Sequence, residues 1–264
     1  MQLIAVDIGN SSTKIAVQDL DEDRTVRWYA QHTFRFDDAI ELELSATPAF
    51  WSVCSVNQKR MQRLENWVAT NRSDDKFHVI AENEVAIKST VDSRTQTGRD
   101  RLVAAWMACE LADHDSVVVV DAGTAVTIDV VKGTVFQGGV IFAGAETCLR
   151  QMSQAAPALP DLSLRDSLGD LESILQNIAQ PSTVPAILSG VYQNQIAAIT
   201  NIAGKMAKDT DATCQIYATG GGIADIQNHL PQDWNFVPDL VLRGAKAIGG
   251  ALLREISGDS KAWE

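Results

Sequence analysis

Two stretches of this chain carry the same pattern. Leu3–Val17, LIAVDIGNSSTKIAV, and Val117–Val131, VVVVDAGTAVTIDVV, are each a pair of apolar runs broken by a short polar turn. Val, Ile, Thr and Ala at these positions suit strands buried on both faces, so each stretch predicts a tight hairpin. Further strands are predicted at Thr25–Thr33, Ala49–Val56, Phe77–Ala81, Thr134–Ile141 and Gln215–Ala218. Gly138-Gly139 inside the fourth of these signals a bulge or a close approach.

Helical spacing fills most of the remainder. Asn57–Asn71 sets Met61, Leu64, Trp67 and Val68 on one face, and Arg99–Leu111 offers Leu102, Val103, Trp106 and Cys109 for burial. A short acidic helical stretch is expected near Asp37–Leu44, and another helix at Ala145–Ala156. Ser182 reads as the cap of a long helix, Thr183–Lys208, with Pro185 in its first turn where proline is tolerated. A helix opens at Ile223, and Leu240–Ile256 closes the chain as a Gly- and Ala-rich helix able to pack tightly. Glu82–Gly98 and Pro157–Gly169 read as loops. Three strands followed by alternating helices and strands give an α/β class with mixed sheets. The internal echo divides the 264 residues into a first lobe, 1–115, and a second, 116–264.

The echo extends to chemistry. Aligning Asp7 with Asp121 superimposes Gly9 on Gly123 and Asn10 on Thr124. Each copy thus has a carboxylate at the end of its first strand and bare amides in its turn. Two such turns facing one another would clamp a phosphate, with amides and hydroxyls on the anion and the aspartates on its counter-cation. One Asp-x-Gly alone is an ordinary hairpin; the duplication is what points to a ligand.

Charge narrows the partners. A net charge of -12 argues against nonspecific binding to nucleic acid or to an anionic membrane. The amino terminus lacks a basic lead, and no apolar run is long enough to span a bilayer, so a cytoplasmic protein is expected. Cys54, Cys109, Cys148 and Cys214 have no paired or zinc-like spacing and read as buried thiols in a reducing compartment. His32, His78, His114 and His229 share no motif.

Three further positions are candidates. Strand alternation puts Lys14 on the side of Ser12, within reach of a terminal phosphate held by the first turn. Gly98-Arg99-Asp100-Arg101 sits where a loop becomes a helix. Asp100 there could accept the proton of an attacking hydroxyl and Arg101 could hold a carboxylate or phosphate, although helix-end charge chemistry explains the same residues. Thr219–Gly222, TGGG, offers bare backbone at a strand-to-helix junction, a common arrangement.

With these residues in hand, the chain resembles the type III pantothenate kinases. That family lies within the superfamily of acetate and sugar kinases, heat-shock chaperones and actin, the actin-like ATPases. Asp7-Ile8-Gly9-Asn10-Ser11-Ser12-Thr13-Lys14 is similar to the family's first ATP-phosphate motif, and Asp121-Ala122-Gly123-Thr124 to the second. Gly98, Arg99, Asp100 and Arg101 resemble its Gly-x-Asp-Arg substrate motif. Gly138-Gly139-Val140-Ile141 followed by Gly144, and Thr183 with Ser189-Gly190, match other family segments. The resemblance implies two ribonuclease H-like lobes and transfer of a phosphoryl group from ATP to pantothenate, the first step towards coenzyme A. It implies Asp100 as proton acceptor, Arg101 and Thr183 as substrate contacts, Thr124 as an ATP contact, Mg2+ near Asp7, and K+ or NH4+ at Asp121. A homodimer with the substrate pocket near the subunit contact is also implied.

The chain departs from the family pattern upstream of the substrate motif, where Val91 and Arg94 replace the usual Tyr and Pro. Ala143 and Ser182 replace a usual Pro and Asn. Two alternatives follow: a kinase of another small alcohol in the same superfamily, or a nucleotide-binding regulator without turnover.

Overall fold

A computed structural model describes residues 1–20, 26–31, 44–91, 97–114, 116–163, 171–210 and 213–257. Arg94, His32 and nearly all of the expected helix at Asp37–Leu44 lie outside the described residues. Among those described, no helix is long and apolar enough to cross a membrane. The chain forms two compact units, Met1–Glu110 with Asp239–Glu264, and Leu111–Pro238. This differs from the expected boundary at residue 115, because the carboxyl-terminal helix packs with the first unit.

In the first unit β1 (Gln2–Ile8) and β2 (Thr13–Asp19) form the first hairpin, and β3 (Val26–Gln31) pairs antiparallel with β2. β4 (Ala49–Ser55) lies parallel to β1, and β5 (Lys76–Val79) parallel to β4, giving the order β3-β2-β1-β4-β5. All seven residues of β4 are buried, as an apolar run in a covered central strand requires. α1 (Gln58–Asn71) is capped by Asn57, whose side chain accepts the Arg60 amide at 3.1 Å. Its Leu64 and Val68 pack on Trp51 and Val53, with Met61 and Trp67 alongside.

The expected loop after β5 holds a single turn of 3-10 helix, Glu82–Glu84, and the short strand β6 (Lys88–Ser89). α2 (Arg99–Leu111) follows. It buries Leu102, Val103, Ala104, Ala105 and Ala108, while Trp106 and Cys109 are only half-buried. Small side chains thus form much of its inward face, which a search for large apolar residues passes over.

α7 (Leu240–Ser257) braces this unit. A Cβ at Gly244 would lie 2.5 Å from Val103 of α2, and one at Gly249 would lie 2.5 Å from Ser52 and 2.9 Å from Leu3. The buried Ser52 hydroxyl donates to the Ala245 carbonyl at 2.7 Å. The helix therefore runs its backbone directly over β1, β4 and α2.

The start of β4 is fixed by Asp75. Its carboxylate accepts from Trp51 Nε1 (2.8 Å), the Ala49 amide (2.9 Å) and both Nε and an Nη of Arg72 (2.8 and 3.1 Å). Burial pushes this carboxyl up, but the hydrogen bonds from Arg72, Trp51 and Ala49 and the Arg72 charge outweigh it and hold it below its ordinary value. The lowered carboxyl stabilises the fold at neutral pH, and that contribution disappears as pH falls through its folded value. Asp75→Asn should therefore cost roughly 1–3 kcal/mol at pH 7. In urea titrations the gap between the two proteins should close in acid, below the ordinary 3.8.

The second unit repeats the scheme. β7 (Val117–Ala122), β8 (Ala125–Lys132) and β9 (Val135–Ala143) form an antiparallel meander. The register slips between Val130 and Val131, opposite Gly138, which sits at φ +89°; this is the bulge the paired glycines announced. β10 (Gln215–Thr219) runs parallel to β7 and β11 (Asn235–Phe236) parallel to β10, so within this unit the order is β11-β10-β7-β8-β9.

Helices α3 (Ala145–Ala155), α4 (Leu171–Gln176) and α5 (Thr183–Thr210) follow the meander, and α6 (Gly221–Ile226) follows β10. Val118, Val120, Val126 and Ile128 of the sheet pack with Tyr192, Ile199 and Ala203 of α5 and with Ile223 and Ile226 of α6. α4 and β11 were not expected from the sequence: both are short, α4 being held by α5, whose Gln193 side chain donates to the Leu175 carbonyl at 3.1 Å, and β11 by its pairing to β10.

Candidate active site

In the first turn, Gly9 donates to the Ser12 carbonyl at 2.9 Å, closing a narrow loop. Asn10 and Ser11 are exposed, Asp7, Gly9, Ser12 and Lys14 half-buried, and Ile8 and Thr13 buried. The pleat explains the alternation: Ile8 and Thr13 are register partners facing the core, while Asp7 and Lys14 are partners one step along. Ligand contacts by Ile8 and Thr13 would therefore run through backbone. The buried Thr13 hydroxyl has no hydrogen-bond partner. Lys14 Nζ lies 2.8 Å from an Asp239 carboxylate oxygen.

The substrate-motif residues sit at the head of α2. The carbonyl of Gly98 accepts the amides of Arg101 (3.1 Å) and Leu102 (3.4 Å), starting the helix. Asp100 folds back to accept the Arg101 amide at 2.8 Å. Burial raises this carboxyl above its ordinary value, against the opposing pull of the Arg101 amide and charge.

Cys54 ties the two segments together. It is the register partner of Asp7 across the parallel β1–β4 pair and is fully buried. Burial pushes its thiol up, the negative charges of Asp7 and Asp100 push it further, and Arg99 pulls it down. Asp7 at the end of β1 and Asp100 and Arg99 at the head of α2 thus all act electrostatically on one sulfur near the carboxyl end of β4. The sequence gives no sign of this role for Cys54, which reads there only as a buried thiol.

In the second unit the other turn is built alike. Gly123 donates to the Ala125 carbonyl at 3.0 Å, and the Thr124 carbonyl accepts the Gly144 amide (3.1 Å) and the Thr147 hydroxyl (2.6 Å). Asp121 is half-buried, whereas Gly123 and Thr124 are exposed. Two glycines wall this turn: a Cβ at Gly144 would come within 2.1 Å of the Gly123 carbonyl, and one at Gly220 within 2.4 Å of the Ala122 carbonyl and 2.5 Å of an Asp121 carboxylate oxygen. Main chain is left bare around a carboxylate, a surface suited to an oxygen-rich anion and a hard cation. Thr183 is exposed at the start of α5, while Ser189 is buried with its hydroxyl 3.4 Å from the Ile178 carbonyl.

Residues 3–205 match the family model described as type III pantothenate kinase. The chain belongs to this family. Curated relatives named type III pantothenate kinase include one from Desulfovibrio desulfuricans, 29% identical over 94% of this chain and 96% of the relative. Another, from Phenylobacterium zucineum, is 29% identical over 93% of this chain and 96% of the relative. Among solved structures, the conserved putative Baf family transcriptional activator from Campylobacter jejuni aligns over 96% of this chain and all of its own, at 23% identity and a TM-score of 0.58. Such a likeness carries the fold and nothing more. Val91, which stands where the family usually has Tyr, is half-buried, and its amide donates to the Ser89 hydroxyl at 3.3 Å.

Proposed function

We propose that this chain catalyses phosphoryl transfer from ATP to the terminal hydroxyl of pantothenate, giving 4'-phosphopantothenate at the start of coenzyme A synthesis. The observation that carries the assignment of roles is the half-buried Asp100 at the head of α2, whose carboxyl is raised by its surroundings and which, like Asp7, bears on the Cys54 thiol. A carboxylate of that kind is suited to orient an alcohol and take its proton as attack proceeds. Arg101 holds the substrate carboxylate, with Gly98 and Arg99 shaping the same loop and Thr183 adding a substrate contact. Asn10, Ser11 and Ser12, with the amides of the first turn, hold ATP phosphates; Lys14 offsets charge on the transferring group, and Thr124 contacts the nucleotide from the second turn.

Among the described residues no group of three or more His, Cys, Asp or Glu could hold a metal alone. Mg2+ needs no such cage, since one carboxylate, substrate phosphates and water satisfy it. Asp7 fits that requirement, and Asp121 beside its glycine-walled turn fits a K+ or NH4+ ion; the cations supply charge compensation to the phosphates. The protein supplies alignment, which is most of what phosphoryl transfer demands.

A homodimer belongs to the same reading: Ile141 (60% exposed) and Ile178 (80%) display apolar side chains on the second unit, and the exposed Val184 adjoins Thr183. The net charge of -12 supports a cytoplasmic protein that binds neither nucleic acid nor membrane.

An ADP-release assay across pantothenate and other small alcohols, with and without potassium, tests the proposal. Pantothenate-dependent ADP formation that rises with potassium is expected. Turnover confined to another alcohol would reassign the substrate, and ADP no higher than the Asp100→Asn background would leave the regulator reading.

A further inference from the structure

Asp239 lies 225 positions along the chain from Lys14, yet the two form an ion pair at 2.8 Å, with side chains 31% and 23% exposed. Asp239 immediately precedes α7, and its carbonyl accepts the Arg243 amide at 2.9 Å, the first turn of that helix. Its backbone is at φ +56°. Among the described residues only one other non-glycine, Thr134, has positive φ, and it sits with Gly133 in the two-residue turn between β8 and β9, where such angles are the rule. No hairpin explains Asp239. A strained aspartate that spends its carboxylate on a lysine of the phosphate turn is the kind of outlier from which a functional role is argued.

We infer that Asp239 is a positioning residue for the kinase reaction: it anchors the Lys14 ammonium to the head of α7 and so fixes where that charge meets the transferring phosphoryl group. The anchor is rigid because α7 is locked to the rest of the unit. Gly244 abuts Val103 of α2, Ala245 takes the Ser52 hydroxyl, and Gly249 abuts Leu3 and Ser52. The elements that carry Asp7, Cys54 and Asp100 are therefore the ones on which α7 rests, and Lys14 is referenced to the same frame. A lysine on a flexible four-carbon stem gains most from such a tether, since an ammonium has no fork geometry to orient it. The inference rests on the proposed assignment of Lys14 to the ATP phosphates.

A double-mutant cycle tests it, read both as turnover with pantothenate and as Mg·ATP affinity by calorimetry. Asp239→Asn keeps the side-chain size and the tolerance for positive φ while removing the charge. Alone it should lower kcat about tenfold and weaken Mg·ATP severalfold; in a Lys14→Met background both effects should shrink to less than about twofold, as coupling through one pair requires. Asp239→Gly relieves the backbone strain, so it should show the same kinetic loss with an unchanged or higher melting temperature. Equal effects of Asp239→Asn in both backgrounds, or a fall in melting temperature in both Asp239 variants without kinetic loss, would overturn the inference. If wild-type protein releases no ADP with pantothenate while the coupling persists in Mg·ATP affinity, the substrate assignment fails and the pairing role stands.

Discussion

Asp100→Asn should lower kcat for pantothenate phosphorylation by about a thousandfold, within the 10²–10⁴ range of general acid–base catalysis, and leave the KM for ATP nearly unchanged. Asparagine matches the carboxylate in shape and can still accept the Arg101 amide through its carbonyl, so the helix start survives. What it loses is the basic oxygen. The wild-type profile carries the corresponding signature: burial raises the Asp100 carboxyl above the ordinary 3.8, so kcat/KM should fall as pH drops through a value above that figure, and the acid limb should vanish in the variant. Stability should move the other way. A carboxyl whose folded value is raised favours the fold most when protonated and loses that contribution as pH rises through the folded value. At pH 7 Asp100 is thus a partly desolvated charge that the fold tolerates, and Asp100→Asn should melt at the same temperature as wild type or higher. A variant that lost activity and stability together would mark Asp100 as a structural residue.

Much of this arrangement is legible in the sequence, because the strands on which it rests are buried on both faces. Leu3–Val17 and Val117–Val131 allow little but paired strands, and their turns fall where the polar residues fall. Arg99–Leu111 is bounded as expected, since a loop-to-helix switch at Gly98 leaves a local mark. The less legible features depend on distance along the chain. Asp239 lies just before the expected closing helix, and nothing near it in the sequence indicates Lys14 as a partner. The assignment of α7 to the first unit is set by Gly244 and Gly249, whose missing side chains matter only once Val103, Ser52 and Leu3 are beside them. The proximity of Cys54 to Asp7 follows from the parallel register of β1 and β4, which a sequence does not state. Short elements such as α4 and β11 have too few residues for a period to appear.

Gly220→Ala should be the most damaging small substitution in the second unit. The residue has φ +94° and ψ 156°, a region that is essentially restricted to glycine, and it precedes α6 directly. Even if the strain were accepted, the added carbon would sit 2.4 Å from the Ala122 carbonyl and 2.5 Å from an Asp121 carboxylate oxygen. The Ala122 carbonyl is main chain of β7, a central strand of its sheet, and cannot retreat without disturbing the pairing to β8, so the Asp121 carboxylate is the group that must move. Strain and overlap together should cost about 3 kcal/mol, which for a chain of this size lowers the melting temperature by roughly 6–12 °C. The folded fraction should also bind Mg·ATP more weakly, because the displaced atom is the Asp121 carboxylate proposed to hold the monovalent cation, and added potassium should restore less activity than in wild type. Gly204 supplies the contrast. It lies within α5 with nothing inside 4 Å of where an added methyl group would sit, so Gly204→Ala should be neutral or stabilise by about 0.5–1 kcal/mol. Equal melting temperatures for the two alanine variants would mean that the glycine wall beside Asp121 is dispensable, and with it the argument that the second turn is shaped for a ligand.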